Sequence, residues 1–296
     1  MRIATHPVHA GSHEAMAECG HEFVSLGTVW PENERPRPWN WHLAEKYEGH
    51  FDAALAFSDP GLRAIQPLHV PTIFATFADM TRGRVADWVE DACDILVFTN
   101  WDTAKRCPCK DEMKKRVIEF GIKEWDVKSI HNPRGDVMTV GNLITIRGDK
   151  GPDVLKAVDA QIDIHTYGAG NECLRGAKGF RSFAEIAQIY SGYKIYFNPG
   201  PVICGSVAEA MVAGLPVVTM TPATYTDLIE DGVTGFIAKT ADEAIIVIRK
   251  LLESPLLREK IAAKSAAVAR HRFGIDRHVK DWNATFEEVA SVRASA

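Results

Sequence analysis

The sequence predicts an α/β chain of two domains, each a parallel sheet with helices on both faces. Three observations carry this. Short apolar, β-branched runs alternate with amphipathic segments, and none of the runs shows the sustained polar/apolar alternation of a half-exposed antiparallel strand. The pattern breaks at Pro133-Arg134-Gly135 and restarts at Val137. At 296 residues the chain is long for one core and comfortable for two.

In the first half, Met1 to Val8 reads as a strand, followed by the His9-Ala10-Gly11-Ser12-His13 turn, a helix over Glu14 to Cys19 and a strand over Glu22 to Leu26. The loop from Trp30 to Trp41 carries Pro31, Pro36 and Pro38, which exclude a helix or a central strand. Its tryptophans either stack on a ligand ring or anchor the loop to the sheet. A helix is expected over His42 to His50, strands at Phe51 to Ser58, Pro71 to Ala78 and Asp94 to Asn100, and a helix at Arg84 to Cys93. Asn100 to Gly121 reads as largely helical, and Val127 to Asn132 as a short strand.

In the second half, strands are expected at Val137 to Leu143, Ile162 to Tyr167, Lys194 to Asn198 and Pro216 to Met220, the last apolar enough to be buried on both faces. Pro152 opens a helix, and Phe183 to Tyr190 forms another. Ser206 and Glu209 form an S-x-x-E capping box for a short helix closed by Gly214. Thr240 and Glu243 cap the next helix, Ser254-Pro255 starts another, and a final helix after Gly274 carries Val279, Trp282, Phe286 and Val289. The expected division is an N-terminal domain over 1–133, a second domain over 134–275, and a C-terminal helix over 276–296 packing back on the first.

An apolar content of 46% with 25% charged residues is that of an ordinary soluble globular protein. A net charge of −5 gives no global reason for a nucleic-acid or anionic-membrane partner. Six scattered cysteines fit reduced thiols, no apolar leader follows Arg2, and no run reaches the length of a membrane span, so a cytoplasmic protein is expected. Neither a zinc-type Cys/His set nor a D-x-D pair occurs, so neither a metal nor another cofactor is expected.

The chemistry converges on the stretch from Tyr196 to Ile237. A strand feeding a glycine turn, Cys204-Gly205, that opens a helix is a ready anion site, because free backbone N–H groups and the positive helix end point at the ligand. The segments RGDKGPDVLKA, IDIHTYGAG, FNPG…GSVAEAMVAGLPVVTM and DLIEDGVTGFIAKTADEA, from Val137 to about Ser254, resemble the donor domain of the retaining "group 1" glycosyltransferases. That resemblance implies the GT-B architecture, two Rossmann-like domains facing a central cleft, and a nucleotide-diphosphate sugar as donor. It implies that Lys150, in Lys150-Gly151, meets the donor diphosphate, that Gly205 and Ser206 contact phosphate, and that Glu209 holds the ribose hydroxyls. Asn142 stands where the family often has Arg, with Arg147 as its substitute, and Gly168 ends the neighbouring strand. Pro201 replaces the family's earlier Glu. Phe77-Ala78-Asp79 stands where the family often has His.

On the first domain Gly11, Ser12, His13 and Asp79 are the candidate contacts. Growing negative charge on a leaving diphosphate calls for a fixed cation, and one charge pair at 4 Å and an effective dielectric near 20 is worth roughly 4 kcal/mol. The resulting expectation is a retaining sugar transferase with Lys150 and Arg147 at the reacting diphosphate and an unidentified acceptor. A nucleic-acid acceptor finds no support in the charge. The alternatives are an epimerase or hydrolase on the same architecture, or a nucleotide-binding protein without turnover.

Overall fold

The computed structural model describes residues 1–6, 15–26, 37–76, 85–110, 112–123 and 134–292. The expected turn at 9–13, Asp79 and the expected strand at Val127 to Asn132 lie outside them. The chain divides into two units, Met1–Lys123 with Phe273–Ala296, and Glu124–Arg272.

The first unit holds a sheet of β1 (Arg2–Thr5), β2 (Glu22–Leu26), β3 (Trp41–Ala44), β4 (Ala53–Ala56), β5 (Thr72–Thr76), β6 (Ile95–Phe98) and β7 (Lys114–Val117). Among its helices are α1 (Asp59–Ile65), α2 (Asp87–Ala92) and α3 (Trp101–Arg106). The strand order is β3-β2-β1-β4-β5-β6-β7, every pairing parallel. β4, β5 and β6 are buried along their whole length, which is why they read as unbroken apolar runs.

Two expectations are corrected here. Trp41–Ala44 is a strand, not the start of a helix: Trp41 is buried and stacks on Phe23 at 4.7 Å between ring centroids, and the backbone pairs with β2. As a sheet edge, β3 tolerates the prolines just upstream. Residues 100–121 are not largely helical either. Asn100 caps α3 through Thr103 N–H, α3 ends at Arg106, and Lys114–Val117 joins the sheet as β7. Its charge misleads a pattern reading, yet an edge strand with one neighbour favours lysine and arginine, which deter further pairing. Arg116 and Lys114 both reach Glu288.

The second unit is built from β8 (Val137–Val140), α4 (Pro152–Asp159), β9 (Ile164–Tyr167), β10 (Ala177–Gly179), α5 (Phe183–Tyr190), β11 (Ile195–Asn198), α6 (Gly205–Val212), β12 (Val217–Met220), β13 (Phe236–Ala238), α7 (Ala241–Glu253) and α8 (Pro255–Phe273). Its strand order, β10-β9-β8-β11-β12-β13, is again all parallel. β11 and β12 are fully buried. Thr240 caps α7 by accepting from Glu243 N–H, as its sequence predicts.

The last helix, α9 (Ile275–Ser291), contributes Trp282, Phe286 and Val289 to the first unit's core beside Ile3, Phe23 and Trp41. His278 sits buried on α9 with Nδ1 2.8 Å from the Glu119 carbonyl. Each sheet reverses its winding direction once, between β1 and β4 in the first unit and between β8 and β11 in the second. In open α/β sheets the crevice at the carboxyl ends of those two strands is where ligands bind.

Candidate functional site

The second unit's reversal point is fully within the described residues. β8 ends at Val140 and runs into Gly141-Asn142-Leu143. A single 3₁₀ turn follows at Gly148–Lys150, and Gly151, at φ +68°, leads into α4. β11 ends at Asn198 and runs through Pro199-Gly200-Pro201 to α6.

The two loops touch backbone to backbone. A Cβ at Gly151 would stand 2.0 Å from the Pro199 carbonyl oxygen, and one at Gly200 would stand 2.6 Å from the Asp149 carbonyl oxygen and 2.8 Å from Lys150 Cα. Only glycine at these two positions permits that approach. The glycines therefore press the Lys150 turn onto Pro199-Gly200, in the loop that leads to α6. Gly168, at φ +127°, likewise lies against Gly141, where a Cβ would come within 2.2 Å of the carbonyl oxygen.

Sequence reasoning missed the brace beneath these loops. Asn171 is wholly buried. Its Nδ2 donates to the carbonyls of Gly141 (2.7 Å) and Gly168 (3.2 Å), and its Oδ1 accepts from Ile144 N–H (2.9 Å). Asn142, exposed, accepts from Ala169 N–H at 2.9 Å, so it fastens the β8 loop to the β9 loop. Leu143 adopts φ +57°, a conformation that costs a non-glycine residue about 1 kcal/mol. Its N–H donates to the Ala169 carbonyl. Neither the Asn171 brace nor the Leu143 backbone has a local sequence signature.

Lys150 is half-buried, and none of the ion pairs among the described residues takes up its ammonium. Arg147 is exposed and bound to Asp149 through two parallel bonds, Nε–Oδ1 at 3.1 Å and Nη2–Oδ2 at 2.7 Å. The hydrogen bonds from Arg147 hold the Asp149 carboxyl below its usual range.

The capping box expected at Ser206 is not formed. Cys204 is the N-cap and Gly205 the first helical residue, so Ser206 lies inside the first turn. Its hydroxyl accepts from the Tyr196 hydroxyl at 2.9 Å and donates to the Val140 carbonyl at 3.2 Å, tying α6 to the end of β8. These long-range partners outcompete the local cap, and the Glu209 carboxylate is engaged by a neighbouring helix. Its Oε2 accepts from the Tyr190 hydroxyl at 3.0 Å. The N–H groups of Gly205 and Ser206 begin the helix, where no intrahelical carbonyl precedes them. A Cβ on Gly205 would meet open space.

The structure thus brings Asn142, Lys150, Gly168, Gly205, Ser206 and Glu209 to one edge of the second sheet, with Arg147 on the same loop but engaged by Asp149. Gly11, Ser12, His13 and Asp79 lie outside the described residues. Of the loop tryptophans, Trp41 is a core anchor. Trp39 is 86% exposed and lines an open cavity of about 410 Å³ in the first unit with Arg37, Asn40 and Lys123. Among the described residues no three His, Cys, Asp or Glu side chains gather as a metal site, and no helix is long and apolar enough to cross a membrane.

No curated protein sequence is significantly similar to the chain. Solved structures resemble it in fold. HepE from Anabaena, in complex with UDP and glucose, is 14% identical, with a TM-score of 0.72 over 97% of this chain and 98% of that one. Sucrose-phosphate synthase from Thermosynechococcus elongatus is 11% identical, with a TM-score of 0.71 over the full length of both chains. The pneumococcal O-GlcNAc transferase GtfA, in complex with UDP and GlcNAc, is 18% identical, with a TM-score of 0.63 over 80% of this chain. The chain spans 56% of that protein's length. Residues 137–254 match the family described as glycosyl transferases group 1. The chain therefore shares with these proteins a fold of two Rossmann-like parallel-sheet units, and residues 137–254 are similar to the group 1 glycosyltransferase family.

Proposed function

We propose that the protein transfers a sugar, with retention of configuration, from a nucleoside-diphosphate donor bound at the carboxyl edge of the second sheet to an acceptor still to be identified. One observation carries this reading: within the group 1 domain, paired glycines press the Lys150 turn against the loop that opens α6. An ammonium and the N–H groups of Gly205 and Ser206 then serve one anion. The structurally similar HepE and GtfA, each solved with UDP, supply the donor class.

As the glycosidic bond breaks, negative charge develops on the diphosphate. Lys150 and the α6 amide dipoles stabilise it with donors fixed in place beforehand, the arrangement that lowers a barrier most. In this reading a lysine supplies the positive charge, and no metal is required. Glu209 accepts from the ribose hydroxyls. Asn142 and Gly168 shape the wall of the site rather than react, and Ser206 contributes its amide while its hydroxyl serves Val140. The departing phosphate takes the acceptor proton as the new glycosidic bond forms on the face it leaves.

A second reading, nucleotide binding without transfer, draws on Pro201. Where the family carries a glutamate, this chain has a ring with no polar atom, and its carbonyl accepts from Ala223 N–H at 2.7 Å. An assay of diphosphate release across a panel of nucleotide-sugars and acceptors separates the two. Transfer predicts release that depends on donor and acceptor. Tight nucleotide binding with no release for any pair would leave the second reading standing.

A further inference from the structure

Tyr190 ends α5 and is wholly buried, yet the chemistry above does not use it. Its ring packs on Tyr196 at 6.2 Å between centroids. Its hydroxyl lies 3.0 Å from Glu209 Oε2 and 3.3 Å from the Ser206 carbonyl, so a single side chain of α5 reaches both the carboxylate and the first turn of α6. Burial holds this phenol protonated far above its ordinary range. The hydroxyl therefore always has a proton to give, and the carboxylate is the acceptor that gains most from it.

We propose that Tyr190 is a positioning residue that aims the Glu209 carboxylate at the ribose and so makes the site select ribonucleoside over 2′-deoxyribonucleoside diphosphates. This rests on the reading of the site as a nucleoside-diphosphate pocket. A glutamate on a helix surface has three rotatable bonds, and ordering it costs entropy each time a ligand binds. A phenol locked in the core removes that cost in advance. A carboxylate accepts at about four lone-pair positions, so the Tyr190 bond leaves it capacity for a diol. A site arranged to accept from a hydroxyl discriminates against the analogue lacking it, because the acceptor then stays desolvated and unsatisfied.

The test is calorimetric binding of UDP and 2′-deoxy-UDP to the full chain and to Tyr190→Phe, Glu209→Ala and the double variant. The expected result is that the wild-type protein prefers UDP. Tyr190→Phe should weaken UDP by about tenfold and 2′-deoxy-UDP by much less, and the double variant should bind no worse than Glu209→Ala. The preference ratio is taken within one protein, so a fraction of unfolded molecules affects both ligands alike and cancels. A ratio unchanged in Tyr190→Phe but collapsed in Glu209→Ala would overturn the inference and spare the donor-site reading. A ratio untouched by Glu209→Ala, or no binding of UDP by the wild-type protein, would overturn both.

Discussion

Lys150 stands on a one-turn loop that glycines press onto Gly200, whereas Glu209 stands on an eight-residue helix and leans on a fully buried phenol. The first arrangement fixes the backbone and leaves the side chain to find its ligand. The second fixes the side chain itself. The difference suits the two tasks proposed for them. A diphosphate is a strong, diffuse charge that an ammonium meets from many directions, and a ribose diol is neutral and needs its acceptor aimed. On this comparison the phosphate half should govern turnover and the ribose half should govern affinity.

The sharpest way to break it is Lys150→Ala. Loss of the cation should lower turnover by about two to three orders of magnitude while nucleoside binding changes far less. Equal losses in kcat and affinity would erase the distinction. Next comes Gly200→Ala. The added Cβ meets backbone atoms of Asp149 and Lys150 at 2.6–2.8 Å, so the loops must part. Displacement on the order of 1 Å should cost about a hundredfold in turnover, and a melting curve run alongside reports how much of the loss is folding.

Glu209→Ala should act on the other half, weakening nucleoside-diphosphate binding by roughly ten- to a hundredfold, with kcat at saturating donor nearly intact. A fall in kcat alone would move Glu209 to the phosphate half. The smallest effect is expected of Arg147→Ala. Its guanidinium is exposed and already bound to Asp149, and an exposed pair of this kind contributes about 0–1 kcal/mol. Turnover should stay within about threefold of wild type. A loss approaching that of Lys150→Ala would show that Arg147 leaves Asp149 for the donor.

Much of this architecture was legible in the sequence, for reasons that also explain what was not. Buried parallel strands such as Ala53–Ala56, Ile195–Asn198 and Val217–Met220 announce themselves as apolar runs because both faces are covered. Edge strands do not. Trp41–Ala44 and Lys114–Val117 each lean on one neighbour, and their composition answers to solvent as much as to the sheet.

At the site, the strand–glycine–helix grammar around Cys204-Gly205 pointed to the start of a helix at the carboxyl edge of the second sheet, and α6 does start at Gly205. The local cap at Ser206 failed because its competitors were invisible to a four-residue window. Tyr196 lies ten residues away, and Val140 sixty-six. The Asn171 bonds to Gly141 and Ile144 and the Tyr190–Glu209 bond escaped for the same reason, since they join residues 19 to 30 positions apart. The Arg147–Asp149 pair was different. It spans two residues and was open to a reading of local charge.

A crystal structure of the protein with bound UDP decides whether this edge of the second sheet is the donor site. The diphosphate should lie within hydrogen-bonding distance of Lys150 Nζ and the Gly205 and Ser206 amides, with the ribose on Glu209. A nucleotide bound elsewhere on the chain, with Lys150 and the start of α6 left facing water, would contradict that placement.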